Sequence, residues 1–328
     1  MLKKDKVYGE IEITEPILLE LLASPVILRL KNISQYGIPD KYYFLKNFSR
    51  YEHCVGAMIL LRNLGATLEE QVAGLLHDVS VLAFSHISDW VFGDGQKGTE
   101  DYHDSIHDIF VKQTDIPNIL VKYGFSVERI LDEKNFSLLE RNAPALCADR
   151  VDYALREFEA WLNPEIIDIC IKSLLNYEGE IVFSDIEAAA IFALNFLELQ
   201  TKHWGGYEAM TRYHLFSKAL KIAIDEKILS EKDFYEDENF VLDKFENIKN
   251  EEIQTVLKIL RNNKLKTISG AQGEKIIKKF RYVDPKILVA DKLVRLSEID
   301  PDFSIILDKH RKINAEGLVV SDEVSGYL

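Results

Sequence analysis

The chain has 328 residues, a formal charge of −14 and an apolar share of 47%. A surface that acidic repels phosphate backbones, which disfavours general nucleic-acid binding but leaves room for a small phosphate ligand in a local basic pocket. No apolar run approaches the roughly 20 residues that span a bilayer, and the N-terminal MLKKDKVYGEIEI turns charged too soon for a secretory leader. The three cysteines, Cys54, Cys147 and Cys170, are odd in number and sit in apolar stretches. Buried free thiols in a reducing, cytoplasmic setting are expected, with no membrane contact.

Taken in order, Val7 to Ile13 alternates and predicts a strand or hairpin arm. Glu15-Pro16 opens a helix, and a second starts near Ser24-Pro25 and stops by Gly37. Pro39 to Phe48 reads as loop. Ser49 to Leu64 has a strong helical period, capped by Ser49 and ended by Gly65. Leu68 to Leu76 is an apolar helix, Gly93 to Gly98 a loop, and Asp101 to Lys112 a helix with His103 and His107, whose His107-Asp108 pair reads as a solvated face. Short helices follow from Ile116 to Leu139, and Pro144 to Leu162 predicts a longer one. Ile181 to Phe183 is β-like, Asp185 to Lys202 and Glu208 to Leu229 are long periodic helices, and Phe280 to Val283 and Gly317 to Val320 suggest a small terminal sheet. The expected fold is mainly α: a helical core over residues 1–160 and a mostly helical C-terminal extension over 161–328, with a few short peripheral β strands.

The chemistry concentrates in Glu69 to Asp89, EEQVAGLLHDVSVLAFSHISD. An apolar helix runs straight into His77-Asp78, with His86 and Asp89 close behind. Two adjacent ionisable residues at the end of a core-like helix need a partner, because burying an unpaired charge is expensive. Histidine and aspartate are ligands for first-row divalent metals. With His53 and Asp149 arriving from other helices, two imidazoles and two carboxylates would leave coordination positions open for water and substrate.

Four segments, SPVILRLKNISQYG, SRYEHCVG, GLLHDVSVLAFSHISD and ADRVDYALRE, carry a resemblance in this order. They resemble the HD-domain metal-dependent phosphohydrolases, and within them the deoxynucleoside triphosphate triphosphohydrolase branch, over about residues 7–160. The resemblance implies an HD-domain helical core and makes His53, His77, Asp78 and Asp149 the metal ligands. It implies phosphate contacts for Arg50, Arg150 and, by a weak alignment, Lys202, and sugar contacts for Gln35, Tyr36, Tyr153 and Glu157. It makes Asp89 and His103 a carboxylate–imidazole pair beside the scissile phosphate, with His86 facing phosphate as well. The family pattern has a histidine four residues after the HD histidine, where this chain has Val81, which neither ligates nor transfers a proton.

The expected activity is metal-dependent hydrolysis of a nucleotide-like phosphoester. The alternatives are an impaired nucleotide-binding or regulatory module, or a phosphatase or phosphodiesterase acting on another phosphoester. The metal is Fe, Mn, Zn, Ni or Mg, which ligand type alone does not separate. The expected partner is a small phosphorylated substrate, and relatives of this kind suggest a homo-oligomer.

Overall fold

A computed structural model describes the chain apart from residues 46, 99–101, 266–272, 322–326 and 328 and the side chains of Gln96, His103 and Asp104. The fold is mainly α. It opens with an antiparallel hairpin, β1 (Leu2–Asp5) on β2 (Gly9–Glu12), with Leu2 opposite Glu12. The predicted strand at Val7 to Ile13 is the second arm of this hairpin, and Val7 itself lies in the turn. Helices α1 (Pro16–Ala23) and α2 (Pro25–Arg29) both carry proline in the first turn, and Ser24 caps α2.

Helix α3 (Arg50–Asn63) starts in a reciprocal cap: Ser49 Oγ accepts from Glu52 N, and the Glu52 carboxylate accepts from Ser49 N. A Ser34–Ser49 bridge closes the intervening loop. Then come α4 (Leu68–Leu76), α5 (Ile87–Phe92), α6 (Tyr102–Lys112), α7 (Ile116–Lys122), α8 (Val127–Leu131), α9 (Ala148–Trp161) and α10 (Glu165–Ser173). Helix α9 begins four residues later than the predicted Pro144, because Leu146 is drawn into a β-bridge with Ile181.

The second half holds β3 (Leu174–Tyr177), β4 (Glu180–Phe183), α11 (Ile186–Leu199), a π-helical turn at Gln200–Trp204, α12 (Tyr207–Asp225), α13 (Glu238–Phe245) and α14 (Glu251–Leu260). It ends with β5 (Gly273–Ile276), β6 (Lys286–Val289), β7 (Lys292–Arg295), α15 (Leu296–Ile299), α16 (Pro301–Glu316) and β8 (Leu318–Ser321). β3, β4, β6 and β7 form one sheet, with β4 and β6 parallel at Phe183–Ile287, and β5 pairs with β8. Phe280 to Val283, read as β from sequence, is an extended strap between β5 and β6 with no strand partner. Its neighbours on either side take the sheet positions.

Two apolar cores result. The first gathers α1, α3, α4, α9 and α11, and the late residues Val283, Ile287, Leu296, Phe303 and Leu307 complete it. The second joins Ile38–Tyr43 and the segment after His77 to α12, α13 and α14. Arg212 lies fully buried there, with its guanidinium donating to the carbonyls of Leu260 and Asn262 and paired to Glu208. A charge that deep is tolerated only with its donors satisfied, so Arg212 ties α12 to the C-terminal end of α14.

Candidate metal centre and adjoining cavity

Three helices deliver the metal-ligand candidates. The α3 cap sets Arg50 at the first helical position and His53 one turn on. Helix α4 ends at His77, whose Nδ1 donates to Gly74 O at 2.8 Å, using a carbonyl that the helix end leaves orphaned. Asp149 lies in the first turn of α9.

The four side chains converge. His53 Nε2 is 2.9 Å from Asp149 Oδ1, 3.2 Å from His77 Nε2 and 3.7 Å from Asp78 Oδ2. His77 Nε2 is 3.5 Å from Asp149 Oδ1 and 3.8 Å from Asp78 Oδ2. The opposite nitrogens are spoken for, since His53 Nδ1 donates to Asp152 Oδ2 at 2.7 Å and His77 Nδ1 to Gly74 O. Both Nε2 atoms therefore meet the Asp149 carboxylate in a group that can hold a divalent cation, and Asp78 Oδ2 lies beside them.

The electrostatics agree. Burial drives the His77 pKa down, but the Asp78 charge and the Asp149 hydrogen bond outweigh it and push it up to about 10. His53 is raised in the same way, its burial overcome by hydrogen bonds to Asp149 and Asp152. Burial raises Asp78 and Asp149, but Arg50 and the imidazoles hold Asp78 well below the usual carboxylate range, and His53 and His77 do the same for Asp149. The cluster calls for positive charge at its centre, and a metal fits it.

Arg50 is buried beside this group, with Nη1 on Asp78 Oδ2 at 2.5 Å and Nε on Ser85 Oγ at 3.0 Å. Ser85 in turn donates to Ser34 O at 2.6 Å. Phe84 and Ser85 adopt positive φ (67° and 45°), which is costly for residues with a Cβ. The bend is held because Phe84 is core and its carbonyl lies against Gly37 (φ +73°), where a Cβ would come within 2.3 Å of Phe84 O.

The group opens into a cavity of about 290 Å³, near the lower end of ligand-sized pockets. Of the residues singled out in sequence, Gln35, Tyr36, Arg50, His86, Arg150, Tyr153 and Glu157 line it with the candidate ligands His77, Asp78 and Asp149. Among the described residues, Gln35 Oε1, the Tyr36 hydroxyl and Arg50 Nη2 are buried on this lining without a hydrogen-bond partner. Buried polar atoms without partners are rare and mark contacts to something that binds.

Other sequence candidates sit differently. Asp89 is buried behind the cavity, accepting from Tyr102 N at 3.1 Å and lying 3.2 Å from His86 Nδ1. The predicted partner of Asp89, His103, stands in α6 with its side chain outside the described residues. Arg150 reaches the lining, but its guanidinium donates to the carbonyls of Arg141 and Ala145 and pairs with Glu140. Lys202 does not reach the cavity: its side chain is 66% exposed and its ammonium pairs with Glu198 at 2.6 Å. The π-helical turn rotates it outward and sends His203 and Trp204 inward instead. Trp204 Nε1 donates to Glu157 Oε2 at 2.7 Å, and Trp161 lies between Tyr36 and His203, its ring centre 4.6 and 3.9 Å from theirs and tilted to both. Val81 is packed in the first core. His107, expected on a solvated face, has its Nδ1 2.8 Å from Ser80 Oγ.

Sequence reasoning missed Glu133 and Glu140, which add acid near Asp149, and the strap residues Lys278, Lys279 and Arg281. Burial raises Glu133 to about 7. The run KIIKKFR was the available signal for the strap.

No protein-family model matches the chain. The uncharacterised Bacillus subtilis protein YdhJ is 34% identical over 299 residues, 90% of this chain and 91% of that protein. The metal-dependent phosphohydrolase cns2 of Cordyceps militaris is 42% identical over 157 residues, 48% of this chain and 45% of its own length. The chain belongs to the HD-domain metal-dependent phosphohydrolases. The zebrafish (Danio rerio) deoxynucleoside triphosphate triphosphohydrolase SAMHD1 is 31% identical over 103 residues, 27% of this HD phosphohydrolase and 16% of SAMHD1. The chain thus spans less than half the length of cns2 and of SAMHD1. A hypothetical protein from Aquifex aeolicus, at 18% identity, shares the fold with a TM-score of 0.65 over 93% of both chains. No helix among the described residues is long and apolar enough to cross a membrane.

Proposed function

We propose that this HD phosphohydrolase cleaves a phosphoester of a small nucleotide-like substrate, with His53, His77, Asp78 and Asp149 holding the metal. The observation that carries this reading is the convergence of both Nε2 atoms and the Asp149 carboxylate, with Asp78 beside them, on the lining of a cavity with orphaned polar atoms. A bound divalent cation supplies Lewis acidity to a phosphate oxygen and to water. The protein's part is positioning. Arg50, fixed by Asp78 and Ser85, directs Nη2 at a phosphate oxygen and neutralises charge that grows as the bond breaks. His86 Nδ1, held by the buried Asp89, fixes that imidazole's tautomer at the cavity wall, where it handles a proton. Gln35 and Tyr36 offer an acceptor and a hydroxyl to a polar sugar or ring, beside the flat faces of Trp161 and His203. The partial likeness to SAMHD1 supports a nucleoside triphosphate as the first substrate to try.

The test is a panel of ribo- and deoxynucleoside mono-, di- and triphosphates incubated with Mn²⁺ and the protein, beside Asp78→Ala. Products are separated chromatographically and bound metal is counted. The expected result is phosphoester cleavage that Asp78→Ala abolishes. Release of triphosphate marks a triphosphohydrolase and release of orthophosphate a phosphatase. Bound metal with no turnover on any nucleotide would overturn the nucleotide reading.

A further inference from the structure

The cavity lining carries two groups of opposite charge. One is the metal group with Glu133 and Glu140 beside it. The other comes from the strap between β5 and β6, more than a hundred residues downstream of Asp149, which brings Lys278, Lys279 and Arg281 to the lining. In a chain of net charge −14, three cations within four residues on one cavity wall are a marked local reversal.

The strap is built to hold them there. Its backbone is tied to the buried Gln200, whose Nε2 donates to Lys279 O at 3.3 Å and whose Oε1 accepts from Arg281 N at 3.2 Å. Asn314 on α16 donates to Lys278 O at 2.9 Å and also accepts from Gln200 Nε2 at 3.0 Å. Downstream, Asp284 N is bound to Pro144 O at 3.0 Å and the Asp284 carboxylate accepts from Ser297. Lys278 is only 7% exposed, with its ammonium 4.9 Å from the centre of the Tyr213 ring, and Tyr213 donates to Tyr36 O. Lys279 is exposed on the lining and forms no ion pair among the described residues. Arg281 lies near enough to Tyr153 and Glu157 for its charge to oppose the effect of burial on both. A loop pinned at both ends presents its side chains without paying to order them.

We propose that Lys278, Lys279 and Arg281 form an anion subsite distinct from the metal group, which binds a second phosphate of the substrate and so favours substrates with more than one phosphate. This rests on the phosphohydrolase-site reading above. Arg50 and the metal group serve the phosphate that reacts, and the strap cations hold another.

The experiment is titration calorimetry of the full-length protein, loaded with Mn²⁺, with inorganic phosphate and with inorganic tripolyphosphate. The proteins are wild type, the double variant Lys278→Met with Lys279→Met, and Lys278→Arg, with bound metal counted for each. The methionines keep the stems that pack against Tyr213 and remove only charge. The subsite predicts that wild type binds tripolyphosphate more tightly than phosphate. It predicts that the double variant loses about tenfold or more in tripolyphosphate affinity while its phosphate affinity and metal content stay near wild type, and that Lys278→Arg retains tripolyphosphate binding. Undiminished tripolyphosphate affinity in the double variant overturns the subsite and leaves the metal-centre reading standing. Equal loss of both anions overturns it too, because the strap would then only shape the cavity. Wild type that binds neither anion overturns the phosphate-site reading and the subsite together.

Discussion

Asp152 Oδ2 accepts the Nδ1 hydrogen of His53 at 2.7 Å, and both side chains are fully buried. That bond fixes which imidazole nitrogen faces the cavity. It is itself fixed from behind: Arg156 Nε donates to Asp152 Oδ2 at 2.9 Å, and Arg156 Nη2 reaches Asp5 Oδ2 at 2.9 Å. The N-terminal hairpin is thereby linked through two residues of α9 to a candidate metal ligand on α3.

From this relationship, Asp152→Ala should weaken Mn²⁺ binding by about 10- to 100-fold, the usual cost of losing a carboxylate behind a ligating imidazole. Chelator competition reads the affinity directly. Unchanged affinity would mean that His53 is oriented by packing alone.

Gly56 lies where Arg156 and Asp152 cross α3, and an added Cβ would fall 1.9 Å from Arg156 Nη2 and 2.0 Å from Asp152 Oδ1. Gly56→Ala should therefore destabilise the fold by about 2–4 kcal/mol, through overpacking and a broken buried ion pair. Denaturant unfolding measures this. A loss below about 1 kcal/mol would show that α3 and α9 can part without cost.

Arg50→Lys keeps a charge near Asp78 but cannot reproduce a planar fork that meets Asp78, Ser85 and the cavity at once. The expected result is a fall of about 100-fold in kcat/KM on whichever nucleotide the panel identifies, with metal content retained. Steady-state kinetics with metal counting tests it, and near wild-type kcat/KM would remove Arg50 from the phosphate site.

Glu238 is buried against Ser34, and burial pushes its carboxyl up to about 7 despite the Ser34 N–H and O–H that donate to it. The sign follows from linkage. The unfolded group titrates near 4.5 and the folded one near 7, so the folded chain holds the proton more tightly. Its stability contribution is full below 4.5 and is lost as pH rises through 7. Glu238→Gln should flatten this part of the stability profile, read from unfolding free energies across the same interval. An unchanged slope would place the titration elsewhere.

The helices and the cluster of α3, α4 and α9 candidates were legible because each rests on local signals: a cap at Ser49, an apolar run into His77-Asp78, and a periodic ADRVDYALRE. Lys202 was not, because a π-helical turn adds a residue to the helical repeat and shifts which side chains face inward. Phe280 to Val283 has strand composition, but its placement depends on side chains of Gln200 and Asn314, which no local pattern announces. Asp152 and Arg156 carried no special mark either, since an aspartate and an arginine four apart on a helix read as a surface pair.

The first core has a consequence for synthesis. Its apolar floor is laid by α1, α3, α4 and α9, but Phe303 and Leu307 close it. A nascent chain translated as far as α14 still lacks those side chains, so the face of α11 against which α16 packs stays uncovered until α16 has been made.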